Sequence, residues 1–109
     1  MAKMSAGAGQ AARPRYFDPD VEVDPLIRRH ITLPPFGSGK NDPLVTGASG
    51  QTYPVWAVYL NYVSANRDVA RTMWNYGDDL NAEQIEAVRR FALAYPDVVM
   101  PHVTAALNG

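Results

Sequence analysis

Residues 77–95, GDDLNAEQIEAVRRFALAY, contain the clearest helix start in the sequence, and the rest of the chain is interpreted from it. Asn81 suits an N-cap, and Gln84 three residues later completes a capping box, in which each side chain accepts a hydrogen bond from the other residue's backbone N–H. Leu80 and Ile85 stand at the two positions of a hydrophobic staple. The stretch predicts a helix that begins after Asn81, with Ile85 on its buried face.

Two further helices are predicted before this one. A first helix covers about residues 54–65, and a second, shorter helix ends at Gly77, which favours the left-handed backbone common at helix C-termini. Either Asn66 or Asp68 can cap the second helix. The inward-facing residues are predicted to be Val55, Tyr59 and Tyr62 in the first helix, Val69, Met73 and Tyr76 in the second, and Ile85, Val88, Ala92 and Tyr95 in the third.

Prolines shape the two ends of the chain. Residues 13–35 contain five of the nine prolines, which predicts an extended arm with strand-like pieces at 20–23 and 29–33. Another short strand is expected around residues 43–45, between two turns. Pro96 closes the third helix and leaves room for a short final turn or helix that begins near Pro101.

The predicted organisation has three parts: a flexible tail (1–12), an extended arm with short β segments (13–52), and a helix-turn-helix domain (53–109). Residues 77–80 join the second and third helices, and this connection has the length used in a helix-turn-helix. The predicted fold class is therefore mainly α: a three-helix, winged-helix-like bundle preceded by the N-terminal arm.

Composition excludes several classes of protein. The chain has 109 residues, a net charge of −1 and no cysteine, so thiolate metal sites and cysteine nucleophiles are excluded. No apolar run reaches the roughly 18 residues of a membrane span, so we expect a cytoplasmic protein without membrane contact. The two histidines, His30 and His102, have no serine nucleophile framed by glycines nearby, so we expect no enzyme, no cofactor and no metal.

Several short motifs follow one another along the chain in a recognisable order. They consist of Gly39, Lys40, Pro43, Gly47, Pro54-Val55-Trp56, Tyr76, Leu80, Gln84-Ile85, Ala87 and Tyr95-Pro96. Over about residues 31–99, this order resembles the family catalogued as domain of unknown function 433. Residues 41–42 interrupt the Gly-Lys-Pro segment of that family, residues 48–52 replace the Thr-Arg that follows its turn glycine, and residues 77–79 replace a proline.

This resemblance implies a functional context that the residues alone do not supply. Family members are small antitoxin-like regulators, often dimeric and frequently encoded beside a PIN-like ribonuclease toxin. The resemblance therefore implies a protein that neutralises such a toxin and represses its own operon.

A DNA-binding role would use the start of the third helix. Asn81 and Gln84 would reach base edges in double-stranded DNA, Arg89 and Arg90 would contact phosphates, and Arg13 and Arg15 of the arm would add further phosphate contacts. In the alternative interpretation, the capping box occupies the two amides and Glu86 pairs with an arginine on a solvated face. Residues 53–109 carry four arginines against six acidic residues, a net charge of −2 that favours the alternative.

Six aromatic residues between Tyr53 and Tyr76 are predicted to lie mostly in the core. With Val55, Tyr59 and Tyr62 turned inward, Trp56 and Leu60 would stay partly exposed. We therefore expect a homodimer that uses Trp56 and Leu60 as its interface.

Two functions follow from these patterns. The first is an antitoxin-like helix-turn-helix regulator that binds DNA, neutralises a toxin, or does both. The alternative is a phage or mobile-element adaptor module whose helices contact only proteins.

Overall fold

The computed structural model describes residues 23–33 and 42–109. In this part of the chain, helices dominate and three short strands form one small sheet. The elements in chain order are α1 (Pro25–His30), β1 (Ile31–Thr32), β2 (Leu44–Thr46), β3 (Thr52–Pro54), α2 (Val55–Ser64), α3 (Val69–Asn75), α4 (Ala82–Ala94) and α5 (Pro96–Asn108).

The sheet is antiparallel, with β2 in the centre. Ile31 faces Val45 across the β1–β2 pair, and Val45 faces Tyr53 across the β2–β3 pair. Ile31 and Val45 are both buried, which fixes the register because a slip by one residue would expose them.

The predicted extended arm contains a helix, so this part of the fold prediction was wrong. Asp24 is the N-cap of α1 and accepts hydrogen bonds from the backbone N–H groups of Leu26 and Ile27. Pro25 occupies the first helical turn, where a backbone N–H would have no acceptor within the helix. Its lack of an N–H therefore costs nothing there, and its fixed φ suits a helix. The strand predicted at 29–33 is reduced to Ile31–Thr32, and most of the one predicted at 20–23 lies outside the described residues, as does the tail.

The first two helices of the predicted bundle are confirmed as α2 and α3, and both end in the same way. After α2, Asn66 N–H bonds to the carbonyl of Val63 and Arg67 N–H to that of Tyr62. After α3, Gly77 N–H bonds to Trp74 and Asp78 N–H to Met73. Both are Schellman motifs, and in each the two terminal residues have a left-handed φ between 59° and 62°. Asp68, and not Asn66, caps α3.

The third predicted helix is confirmed as α4, with its capping box complete. Asn81 Oδ1 accepts from Gln84 N at 2.8 Å, and Gln84 Oε1 accepts from Asn81 N at 2.9 Å. Leu80 and Ile85 are both buried, as the staple requires. The start of α4 is therefore defined by local sequence.

The last helix is longer than predicted. α5 begins at Pro96, directly after α4, and contains Pro101 in its interior. An interior proline costs a helix about 3 kcal/mol. Val99 and Val103 are buried on the inner face of α5, and each contributes roughly 1.5–3 kcal/mol, so tertiary packing offsets the proline.

The arm and the helices share one hydrophobic core. Ile27 of α1, Ile31 of β1 and Val45 of β2 are buried together with Val58 of α2 and Phe91 of α4. Among the described residues, Phe91 is the largest side chain that is fully buried. None of the helices in 23–33 and 42–109 combines the length and the apolar character needed to cross a membrane.

Replacing the cap of α4 tests how much the fold depends on it. Asn81→Ala removes the acceptor for Gln84 N–H and should lower the free energy of unfolding by about 1 kcal/mol. Asn81→Asp keeps an acceptor and should lose much less. Urea denaturation followed by circular dichroism measures both, and equal losses in the two variants would contradict the capping role.

Candidate interaction site

The connection between α3 and α4 is built around the Asp79 carboxylate. Oδ1 accepts from the backbone N–H of Ser49 at 2.7 Å, and Oδ2 accepts from the Ser49 hydroxyl at 2.7 Å and the Tyr53 hydroxyl at 2.8 Å. The Asp79 carbonyl also accepts from Ala48 N–H at 2.9 Å. One residue of the turn therefore holds the tip of the β2–β3 hairpin.

The hairpin tip can approach this closely only because residue 47 is glycine. A Cβ on Gly47 would overlap the Asp79 carboxylate and would lie 2.9 Å from the Asp79 carbonyl oxygen. The ring of Tyr53 packs edge-on against Tyr76, with centroids 5.0 Å apart. The hairpin and the α3–α4 turn therefore form a single packed unit.

The hydrogen bonds to Asp79 shift the titration of both partners. The Ser49 hydroxyl, followed by the Tyr53 hydroxyl, stabilises the charged carboxylate and lowers the pKa of Asp79. The hydrogen bond that the Tyr53 hydroxyl donates to the same carboxylate raises the pKa of Tyr53. The two shifts agree that Asp79 is the charged acceptor and Tyr53 the neutral donor.

Gln84, predicted to read a base, uses both ends of its carboxamide inside the protein. Its Oε1 completes the capping box with Asn81, and its Nε2 donates to the Thr46 carbonyl of β2 at 2.6 Å. Asn81 Oδ1 is likewise occupied by the cap. The first turn of α4 thus lies against the hairpin, with its two amides hydrogen-bonded.

The two arginines predicted to contact phosphate are paired with acids. Glu86 binds both of them: Arg89 Nη2 lies 2.6 Å away and Arg90 Nε 2.8 Å away. Arg90 Nη1 also lies 3.3 Å from Asp24, the cap of α1. The predicted pairing of Glu86 on this helix face is present. The other two predicted phosphate contacts, Arg13 and Arg15, lie outside the described residues.

A second acidic residue of α4, Glu83, lies in its first turn and pairs with α1. Glu83 Oε2 lies 2.9 Å from Arg29 Nη1 and 2.6 Å from His30 Nε2, both at the end of α1. The hydrogen bonds from His30 and then Arg29 lower the pKa of Glu83. Helix α4 is therefore held by α1 on one side and by the hairpin on the other.

The predicted interface residues, Trp56 and Leu60, are partly covered by the protein's own helices. Both pack against the core. The Trp56 ring stacks on His102 of α5 at 5.4 Å, and His102 Nε2 lies 3.2 Å from Asp42. Self-association through Trp56 and Leu60 stays a prediction.

The structure exposes a different tryptophan, which is one of the six aromatic residues predicted to lie mostly in the core. Trp74 is 69% exposed. Helical spacing gives the signal, because Met73 faces inward and the next residue is rotated by about 100°. Arg71, one turn earlier, places its guanidinium 5.7 Å from the centre of the Trp74 ring.

An open cleft of about 460 Å³ lies between the end of α2 and α3, next to this pair. Its lining is mostly polar. Asn75 Nδ2 donates to Asn61 Oδ1 across the cleft at 2.8 Å, and Asp68 caps α3 at its edge. The residues of this cleft match no sequence motif, so the sequence does not predict the site. The lining residues are Asn61, Ser64, Ala65, Asp68, Arg71 and Asn75.

Metal chemistry has no support in this part of the molecule. Within residues 23–33 and 42–109, no three His, Asp or Glu side chains are grouped so that they could hold a metal ion.

The contact between Gly47 and Asp79 can be tested by a double-mutant cycle. Gly47→Ala should lower the free energy of unfolding by about 1–3 kcal/mol, because the methyl group overlaps the carboxylate. In an Asp79→Ala background the same change should cost less, because the overlapping side chain is gone. Thermal unfolding of the four proteins gives the coupling energy, and additive effects would contradict the contact.

Acid should weaken the ion pairs that Glu86 forms with Arg89 and Arg90. The hydrogen bonds from Arg89 and then Arg90 lower the pKa of Glu86 from 4.5 to about 2. Because the folded-state pKa is the lower one, the stabilisation is present above pH 4.5 and is lost as the pH falls towards 2. The side chain is 32% exposed, so screening limits the contribution to about 1 kcal/mol.

Urea denaturation between pH 6 and about 2.5 measures this effect at constant ionic strength. Glu86→Gln should flatten the acid side of the stability curve relative to the parent protein. A variant curve parallel to that of the parent below pH 4.5 would contradict the assignment.

Comparisons of the chain with protein-family models, with curated proteins and with solved structures found no match. The resemblance to domain of unknown function 433 therefore stays a prediction.

Proposed function

We propose that this protein is a non-enzymatic interaction module that binds a partner protein and does not read DNA through α4. A toxin-neutralising regulator and a phage or mobile-element adaptor both fall within this proposal, because each acts through protein contacts. The proposal is carried by one observation, the engagement of Gln84 at both ends of its carboxamide.

A glutamine reads adenine by donating and accepting at the same time. Gln84 already uses one acceptor position for Asn81 N–H and one donor hydrogen for the Thr46 carbonyl, so a base that needs both ends of the carboxamide competes with these two contacts. Freeing it would also leave the backbone N–H of Asn81 without its capping partner. Base reading by this residue would therefore destabilise the helix that presents it.

Electrostatics support the same choice. Non-specific DNA affinity comes mainly from cations that replace the counterions of the phosphates. On α4, Arg89 and Arg90 are already paired with Glu86, and Arg90 is also paired with Asp24. In the first turn, Glu83 is paired with Arg29 of α1. This face of α4 offers little net positive charge to a phosphate backbone.

A surface suited to protein contact lies on α3. Tryptophan and arginine are the residue types most often found at the energetic centres of protein interfaces. Trp74 is exposed and the Arg71 guanidinium lies over its ring, so an apolar group and a cation are presented side by side.

DNA binding is tested by fluorescence anisotropy with a labelled 30-base-pair duplex of random sequence and the full-length chain at low salt. We expect no binding, whereas a helix-turn-helix reader would bind non-specifically under these conditions. Glu83→Lys, with a reversed charge on the same face, is the matched control. Salt-dependent binding by the parent protein would overturn the proposal.

Protein binding is tested by selecting a displayed library of genome fragments from the source organism on the full-length chain. We expect in-frame protein fragments to be enriched and to bind the purified chain when titrated directly. A selection that enriches no fragment able to bind would overturn the proposal.

A further inference from the structure

The cleft between α2 and α3 combines three kinds of recognition group. The amides of Asn61 and Asn75 and the guanidinium of Arg71 lie in its lining, and the exposed indole of Trp74 is next to that guanidinium. Its volume of about 460 Å³ falls in the range of binding clefts, although it is open to solvent.

Two arginines near the cleft have no carboxylate partner among the described residues. Arg71 lines the cleft and contacts the face of Trp74, and Arg67 precedes the lining residue Asp68 in the chain. By contrast, Arg29, Arg89 and Arg90 form ion pairs. Arg28 of α1 also has no ion pair among the described residues. The described arginines available to an anionic partner are therefore Arg71 in the cleft lining, Arg67 next to that lining in the chain, and Arg28 away from the cleft.

The paired amides leave hydrogen-bonding capacity suited to a peptide backbone. Asn61 uses its oxygen to accept from Asn75, so its own amide hydrogens remain for a carbonyl. Asn75 keeps its oxygen as an acceptor for an N–H group. An extended peptide segment presents both a carbonyl and an N–H at each residue.

Building on the proposed function, we infer that this cleft binds an acidic, extended segment of the partner protein. Asn61 and Asn75 bond to its backbone, Arg71 and Arg67 pair with its carboxylates, and Trp74 packs against a large apolar side chain. A guanidinium stacked on an indole still presents its N–H edge to a carboxylate.

A peptide fits this surface better than a nucleic acid does. Asp68 lies in the cleft lining and would repel a continuous run of phosphates. A peptide can place its carboxylates opposite the arginines and a neutral residue opposite Asp68.

The test selects phage-displayed random 12-residue peptides on the full-length chain and titrates the enriched peptides by fluorescence anisotropy. We expect the enriched sequences to combine acidic residues with a large apolar one, and their binding to weaken with salt. Arg71→Gln and Trp74→Ala should each weaken binding about tenfold. Arg28→Gln is the matched control, because Arg28 is exposed on α1, which lines no part of the cleft.

Other outcomes would overturn the inference. Arg71 and Trp74 are both exposed, so their variants should keep the parent's melting temperature, and a loss of binding then reports a lost contact. Enriched peptides without acidic residues, or equal affinity for parent and Arg71→Gln, would show that the cleft is not the site. Tight binding of a labelled single-stranded oligonucleotide that Trp74→Ala abolishes would assign the cleft to nucleic acid instead.

The two proposals can fail separately. If genome fragments bind but Arg71→Gln and Trp74→Ala leave their affinity unchanged, the proposed function stands and the assignment of the cleft falls. If no fragment binds, both fall together.

Discussion

The Asp79 carboxylate joins the β2–β3 hairpin to the turn between α3 and α4. It accepts three hydrogen bonds from Ser49 and Tyr53, and its own backbone carbonyl accepts a fourth from Ala48. Gly77 and Asp78 both have left-handed backbone conformations, which turn the chain so that Asp79 faces the hairpin. Because Gly47 leaves room for that carboxylate, the hairpin packs directly on the α3–α4 turn, and the position of α4 follows from this contact.

The placement of α4 has a consequence for function. A recognition helix needs a free first turn, since those residues reach the base edges. Here the first turn is bonded to β2 through Gln84 and to α1 through Glu83. The contacts that stabilise the fold are the ones a DNA reader would have to give up, whereas Trp74 and Arg71 on α3 contribute little to the core and are available to a partner.

Local signals explain which parts of the fold could be predicted from the sequence. The capping box at Asn81 and the left-handed Gly77 act over three or four residues, so sequence spacing alone specified them. Pro25 and Pro101 were misjudged because a proline's effect depends on its position in a helix and on the packing around it. Pro25 was counted among the prolines of an extended arm, and Pro101 was predicted to begin a short final turn or helix. In the structure Pro25 lies in the first turn of α1 and Pro101 lies in the interior of α5.

The candidate site was harder to predict for a related reason. Asp79 and Ser49 are separated by thirty residues, and no periodicity links them. The cleft is assembled from two helices whose polar residues are individually ordinary. The turn between these helices consists of the Schellman motif that ends α2 and the Asp68 cap that begins α3. A site formed by tertiary packing can be recognised in the sequence only where a residue departs from the local pattern of apolar and polar positions. Trp74 is such a residue, since a large apolar side chain stands on the outward face of a short helix.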